Sequence, residues 1–175
     1  ESGYRSAEEM SEAFGEGLAI LERHVAEHQA LAEHAKTLFV EKQFKIDFGD
    51  FVLLGRLDRV DELEDSTIEV VDYKSGRQSV SEDDVAQDIA MGVYQLLLRH
   101  KFPDRKVQAR ILALRSGESA TASFSDADAE EFSNSVSQVA REIISEDFYE
   151  RKPTVKPLCS HCDFQPLCQK DPDYS

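Results

Sequence analysis

The chain has 175 residues, 41% of them hydrophobic, enough to bury one sizeable core and to make a single domain the expectation. It contains no apolar run of membrane-spanning length and no signal-peptide pattern. A formal net charge of -15 excludes nucleic-acid binding driven by overall charge, so any such contact has to be local.

The first residue is Glu1 rather than methionine, so a processed chain or an excised part of a longer one is expected. In chain order, Ser6-Ala7-Glu8-Glu9 has the form of a capping box. Met10, Phe14, Leu18, Leu21 and Val25 then recur at helical spacing, predicting a helix from about Ala7 to Val25 that could run on to Leu38. His24, His28 and His34 lack the tight spacing of a metal-binding helix and read as surface histidines. Phe44, Ile46 and Phe48 alternate within Phe39–Phe48, Gly49-Asp50 is a turn signal, and Phe51–Asp58 completes a hairpin. Glu62–Ser66 is an acidic turn before a third strand, Thr67–Lys74.

Ser81-Glu82-Asp83-Asp84 caps a second helix striped with Val85, Ile89, Val93, Leu96 and Leu97. Lys106–Leu114 reads as a strand with Val107, Ala109, Ile111 and Ala113 on one face and Arg110 on the other. Ser125–Asp128 caps a last helix, Ala127–Ile144, carrying Phe132, Val136, Val139 and Ile143. The order is helix, three strands, helix, strand, helix: a mixed sheet flanked by helices, an α/β sandwich.

Chemistry concentrates between Gly55 and Gly76. Gly55-Arg56-Leu57-Asp58-Arg59-Val60-Asp61 and Ile68-Glu69-Val70-Val71-Asp72-Tyr73-Lys74-Ser75-Gly76 are two β-like runs, each ending among carboxylates. On a strand Asp72 and Lys74 share a face while Tyr73 points away. If the two runs pair, Asp58 lies beside Asp72, giving two carboxylates and an ammonium around one point. Carboxylate oxygens suit Mg²⁺ or Mn²⁺, and a neighbouring lysine can orient water or stabilise charge on a phosphate. Asp61 is expected to sit at the strand end or to pair with Arg59. Basic residues gather around this stretch (Lys42, Lys45, Arg56, Arg59, Lys74, Arg77) and along Lys101–Arg115, whereas acid collects in the first helix and in Ser125–Glu150.

Three cysteines near the C-terminus do not make an even disulfide set, which favours a reducing cytoplasm. Cys159, Cys162 and Cys168 are spaced so that their thiolates could converge on one centre, as in zinc or iron–sulfur sites. His161 could supply a fourth ligand to zinc.

The ordered pattern Gly-Arg-Leu-Asp-Arg-Val-Asp, then Val-Val-Asp-Tyr-Lys-Ser-Gly, resembles the nuclease domain of the RecB-like branch of the PD-(D/E)XK superfamily. With the cysteines, the resemblance runs from about Glu41 to Cys168. It implies a restriction-endonuclease-like fold with an αβββαβ core and a metal-dependent deoxyribonuclease, of exonuclease type, working in DNA recombination and repair. The partners it implies are DNA and a fused or associated helicase, with no membrane. Asp58, Asp72 and the Tyr73 backbone carbonyl would hold Mg²⁺ or Mn²⁺, Lys74 would act on water or phosphate, and Glu41 matches a glutamate that assists in the family. The family's Gln-x-x-x-Tyr pair, which touches DNA, is matched by Tyr94. Ala90 stands where the glutamine is expected, leaving Gln87, two helical turns before Tyr94, as a substitute. The family's opening Gly-x-x-x-His pattern is missing. Cys159, Cys162 and Cys168 are similar to the C-terminal staple of AddB-type nucleases, where a fourth, upstream cysteine completes a [4Fe–4S] cluster. Two alternatives stand beside this reading: a catalytically inactive DNA-binding module of the same fold, and a zinc- or cluster-bearing interaction module.

Overall fold

A computed structural model of the chain describes residues 3–31, 35–76, 79–145, 152–172 and 174. Arg77 and His34 lie outside the described residues. The elements are α1 (Ala7–Leu31), β1 (Ala35–Asp47), β2 (Val52–Leu63), β3 (Ile68–Lys74), α2 (Glu82–Gln87), α3 (Ile89–Lys101), β4 (Val107–Ala113), β5 (Ser119–Ala122), α4 (Asp126–Ile144) and α5 (Gln165–Cys168), with a 3-10 turn at Pro157–His161. The chain divides into a unit of residues 1–133 and a unit of residues 134–175.

The first unit is built on a five-stranded mixed sheet in the order β1-β2-β3-β4-β5, parallel between β3 and β4 and antiparallel elsewhere. This is the expected α/β architecture, with β5 added at the edge. Ser119-Ala120-Thr121-Ala122 is too short and too weakly apolar to stand out by alternation alone.

The core forms where alternation puts it. Val107, Ala109, Ile111 and Ala113 of β4 are buried together, as are Ile68 and Val70 of β3 and Val60 of β2. Met91, Leu97 and Leu98 of α3 pack onto them. The β1–β2 hairpin turns at Gly49, whose φ of 91° needs no Cβ, with its N–H donating to Asp47 Oδ1 at 2.8 Å. Leu57 and Val60 are both fully buried although strict alternation would send residues three apart to opposite faces. The strand changes facing at Asp58-Arg59, across from Glu41, whose φ is 49°.

Two expectations change. α1 gives way to strand by Ala35, so the helix does not continue to Leu38. Its stripe of Met10, Phe14, Leu18, Leu21 and Val25 has the expected helical spacing and is exposed. The second helix is two: Asp88, in an extended conformation, closes α2 and caps α3 by accepting the Ala90 and Met91 N–H groups at 2.9 and 3.2 Å. Ile89, opening the new helix, is therefore exposed although its spacing matched the stripe.

In the second unit α4 ends with Val139, Ile143 and Ile144 exposed. The cysteine segment follows as the 3-10 turn and α5.

Candidate active site

β2 and β3 pair through Glu62↔Ile68 up to Arg59↔Val71. One step further the register sets Asp58 opposite Asp72, but no backbone pair forms there. The Asp58 side chain takes that place, with Oδ2 accepting the Tyr73 N–H at 3.2 Å. Asp58 is thereby held against the peptide that joins Asp72 to Tyr73.

Asp72 is the last of the five buried residues that open β3, and is itself only 6% exposed. Its Oδ2 lies 2.8 Å from Lys74 Nζ, yet that buried oxygen has no aligned hydrogen bond. Burial pushes the Asp72 carboxyl above its ordinary value; Lys74 opposes the rise, and the charges of Asp58 and Asp88 add to it. Burial alone would lower the Lys74 ammonium. Asp72 outweighs it, with Asp88 and Tyr94 adding, so Lys74 stays firmly charged.

Tyr94 faces the same cluster from α3. Burial raises its phenol, and so do the charges of Asp72, Asp58 and Asp88, against the pull of Lys74. Gly55 permits this approach: a Cβ there would stand 3.3 Å from the Tyr94 ring and 2.4 Å from Leu97 Cδ1. Asp88 is the site residue the sequence reading missed. Its one signal is a short acidic side chain able to cap a new helix, hidden inside an unbroken-looking apolar period.

Other expected residues are placed differently. Glu41 is held by Arg56 at 2.9 Å, with both side chains more than half exposed. Gln87 ends α2, so the helix break at Asp88 removes the shared helical face with Tyr94 on which its expected role depended. Arg59 turns to the opposite face and grips Asp61, the second of the two placements expected for that acid, through Nε at 2.8 Å from both carboxylate oxygens. Lys42 and Lys45 are exposed on β1. His24 sets its ring edge-on to Tyr73, on the face away from Asp72.

Among the described residues no three His, Cys, Asp or Glu side chains form a group able to hold a metal ion. Mg²⁺ asks for less, since it is commonly held by one or two carboxylates with water and phosphate completing its shell. The carboxylates of Asp58 and Asp72 fit that demand. Cys159, Cys162 and Cys168 are free, half-buried thiols. The Lys156 N–H donates to Cys159 Sγ at 3.3 Å, and the His161 ring bonds the Ser160 hydroxyl at 2.8 Å. Three thiolates leave a four-iron cluster one ligand short.

A sequence profile of the PD-(D/E)XK nuclease superfamily matches residues 3–169, nearly the whole chain. The chain belongs to this superfamily. The PD-(D/E)XK assignment agrees with the mixed sheet flanked by helices. Over 62 residues the chain is also 44% identical to an ATP-dependent helicase/deoxyribonuclease subunit from Streptococcus pyogenes serotypes M6 and M18, and 42% identical to its counterpart in serotype M12. The matched stretch is 33% of this chain and only 6% of each relative's length. No helix among the described residues is long and apolar enough to cross a membrane.

Proposed function

We propose that this PD-(D/E)XK chain is a Mg²⁺- or Mn²⁺-dependent deoxyribonuclease of RecB-like type, an exonuclease that serves DNA recombination and repair in the cytoplasm beside a fused or associated helicase. The observation that carries the reading is the seating of Asp58 on the Tyr73 N–H, beside a buried Asp72 carboxylate that is paired with Lys74 Nζ at 2.8 Å.

Asp58 and Asp72 would hold the ion, with the Tyr73 carbonyl and water as further ligands. A bound divalent ion supplies an activated water and neutralises phosphate charge. Lys74 is charged and adjacent, so it would donate to the phosphate oxygen on which charge accumulates as the bond to the 3′ oxygen breaks. Tyr94 stands at the rim of the same cluster, where it would meet the DNA strand. Glu41 would join only after leaving Arg56. Cys159, Cys162 and Cys168 would carry a structural cluster once a fourth ligand is supplied.

The test is cleavage of end-labelled single- and double-stranded DNA with Mn²⁺, with Asp72→Ala as control. Metal-dependent cleavage that the substitution lowers by about a thousandfold supports the reading. Full activity in Asp72→Ala refutes it. No cleavage from a chain that purifies with zinc or iron favours the interaction module instead.

A further inference from the structure

The sheet face turned away from Asp72 and Lys74 carries a polar cluster that the proposed chemistry does not use. Asp61 is 1% exposed there and receives Arg59 Nε at 2.8 Å on each carboxylate oxygen. Arg59 Nη1 in turn donates to the Tyr73 hydroxyl at 3.3 Å. The Tyr73 ring packs against His24, with centroids 5.2 Å apart and planes at 83°. A cavity of about 740 Å³ opens over these residues, so sheet packing alone does not hold the phenol in place.

The position of Tyr73 makes this cluster relevant to the metal-holding pair. Backbone pairing between β2 and β3 stops at Arg59↔Val71. Beyond that point two links between the strands are made by successive residues of β2, and both go to Tyr73. Asp58 takes the backbone N–H at 3.2 Å; Arg59 takes the hydroxyl on the other face. Tyr73 lies between Asp72 and Lys74, so any rotation or slip of its peptide moves all three groups at once.

We propose that Arg59 is a positioning residue: clamped by Asp61, it fixes the Tyr73 phenol and thereby keeps the Tyr73 N–H on Asp58 and Asp58 at its distance from Asp72. The metal half of this inference rests on the proposed function; the mechanical half does not. Residues that orient metal ligands without touching the ion commonly change metal affinity on substitution. Arg59 would do so from the opposite face of a sheet, through one tyrosine.

The experiment is amide hydrogen exchange of the metal-free full chain, followed residue by residue in the unaltered protein, Tyr73→Phe and Arg59→Lys. Tyr73→Phe deletes the hydroxyl alone. Arg59→Lys keeps a cation beside buried Asp61, avoiding the unfolding that a neutral side chain risks. In both, exchange at residue 73 is expected to quicken about tenfold while that of buried Val70, on the same strand, is unchanged. Mn²⁺ affinity, read by titration without DNA, is expected to weaken about tenfold.

Exchange at residue 73 that stays within about twofold of the unaltered chain in Tyr73→Phe overturns the mechanical link and leaves the proposed function standing. Equal quickening at Val70 also overturns it, because the loss is then general. If the unaltered chain binds no Mn²⁺, the metal half falls together with the proposed function, whatever the exchange shows.

Discussion

Asp58 sits against the backbone N–H of Tyr73, filling with a side chain the place that the Leu57 carbonyl would fill in a regular antiparallel ladder. One acid thus performs two tasks: it finishes the pairing of β2 with β3, and it stands beside Asp72. Shape and charge can be separated by substitution. Asp58→Asn keeps an acceptor for the Tyr73 N–H and removes the charge, whereas Asp58→Ala removes both. Asparagine is expected to leave the melting temperature nearly unchanged, while alanine costs about 1 kcal/mol from the lost hydrogen bond. Both should abolish Mn²⁺ binding, which calorimetric titration reads directly. An asparagine variant that binds Mn²⁺ as tightly as the original removes Asp58 from the ligand set.

Asp72 predicts a dependence on pH. Its carboxyl is raised above 3.8 by burial, with Lys74 only partly offsetting the rise. A raised folded-state value means that the native protein holds the proton more tightly than the unfolded chain. The stability this contributes is fully present below the ordinary carboxylate range and is lost as pH climbs through the raised value. At neutral pH the ionised carboxylate is therefore a burden on the metal-free fold. Asp72→Asn should raise its melting temperature by roughly 2–4 °C, the equivalent of about 1 kcal/mol for a chain of this size. The gain should vanish near pH 3 and reverse in sign when Mn²⁺ is added to the unaltered protein, because a ligand that binds only the native state stabilises it.

The legibility of this site follows from period and spacing. Asp72 and Lys74 are two residues apart on one strand, and Asp58 meets Asp72 because the acidic turn Glu62–Ser66 returns the chain in register. Arg59 reaches Asp61 across a strand's i to i+2 spacing for the same reason. Asp88 is not legible, since the apolar period of Val85, Ile89 and Val93 continues through the break and only backbone geometry shows that Asp88 is extended. Glu41 stands on the expected strand, but spacing alone does not register that Arg56 competes for its carboxylate. The stripe on α1 has the expected period and is exposed, because period reports which side chains share a face and not what covers them.

The cap at Asp88 separates helix stability from charge at the cluster. Asp88→Asn preserves an acceptor for the Ala90 and Met91 N–H groups; Asp88→Ala leaves both without their cap. Alanine should cost about 1 kcal/mol and asparagine a few tenths at most. If Asp88 acts on the cluster only by anchoring α3, the asparagine variant will cleave DNA like the original. A fall of about tenfold in kcat with an unchanged melting temperature would show instead that its charge beside Lys74 matters.

Gly55 is the tightest approach between the sheet and α3. A Cβ at this position would stand 2.4 Å from Leu97 Cδ1 and 3.3 Å from two Tyr94 ring carbons, so one methyl group must displace a buried leucine, a site tyrosine, or both. Leu97 is 1% exposed and has core on every side, which leaves the displacement to β2 or to Tyr94. Gly55→Ala should destabilise the fold by about 1–3 kcal/mol through overpacking. The companion variant is Gly76→Ala, where a Cβ meets nothing within 4 Å and no packing penalty is expected. Their melting temperatures, read by calorimetry, should differ by several degrees. The activity of surviving Gly55→Ala protein then locates the strain. A raised KM for DNA with kcat retained means that Tyr94 has been pushed aside, whereas a fallen kcat means that β2, which carries Asp58, has shifted to absorb the methyl group. Gly55→Ala protein as stable as the original would show that the close packing of β2 on α3 is not what holds Tyr94 at the cluster.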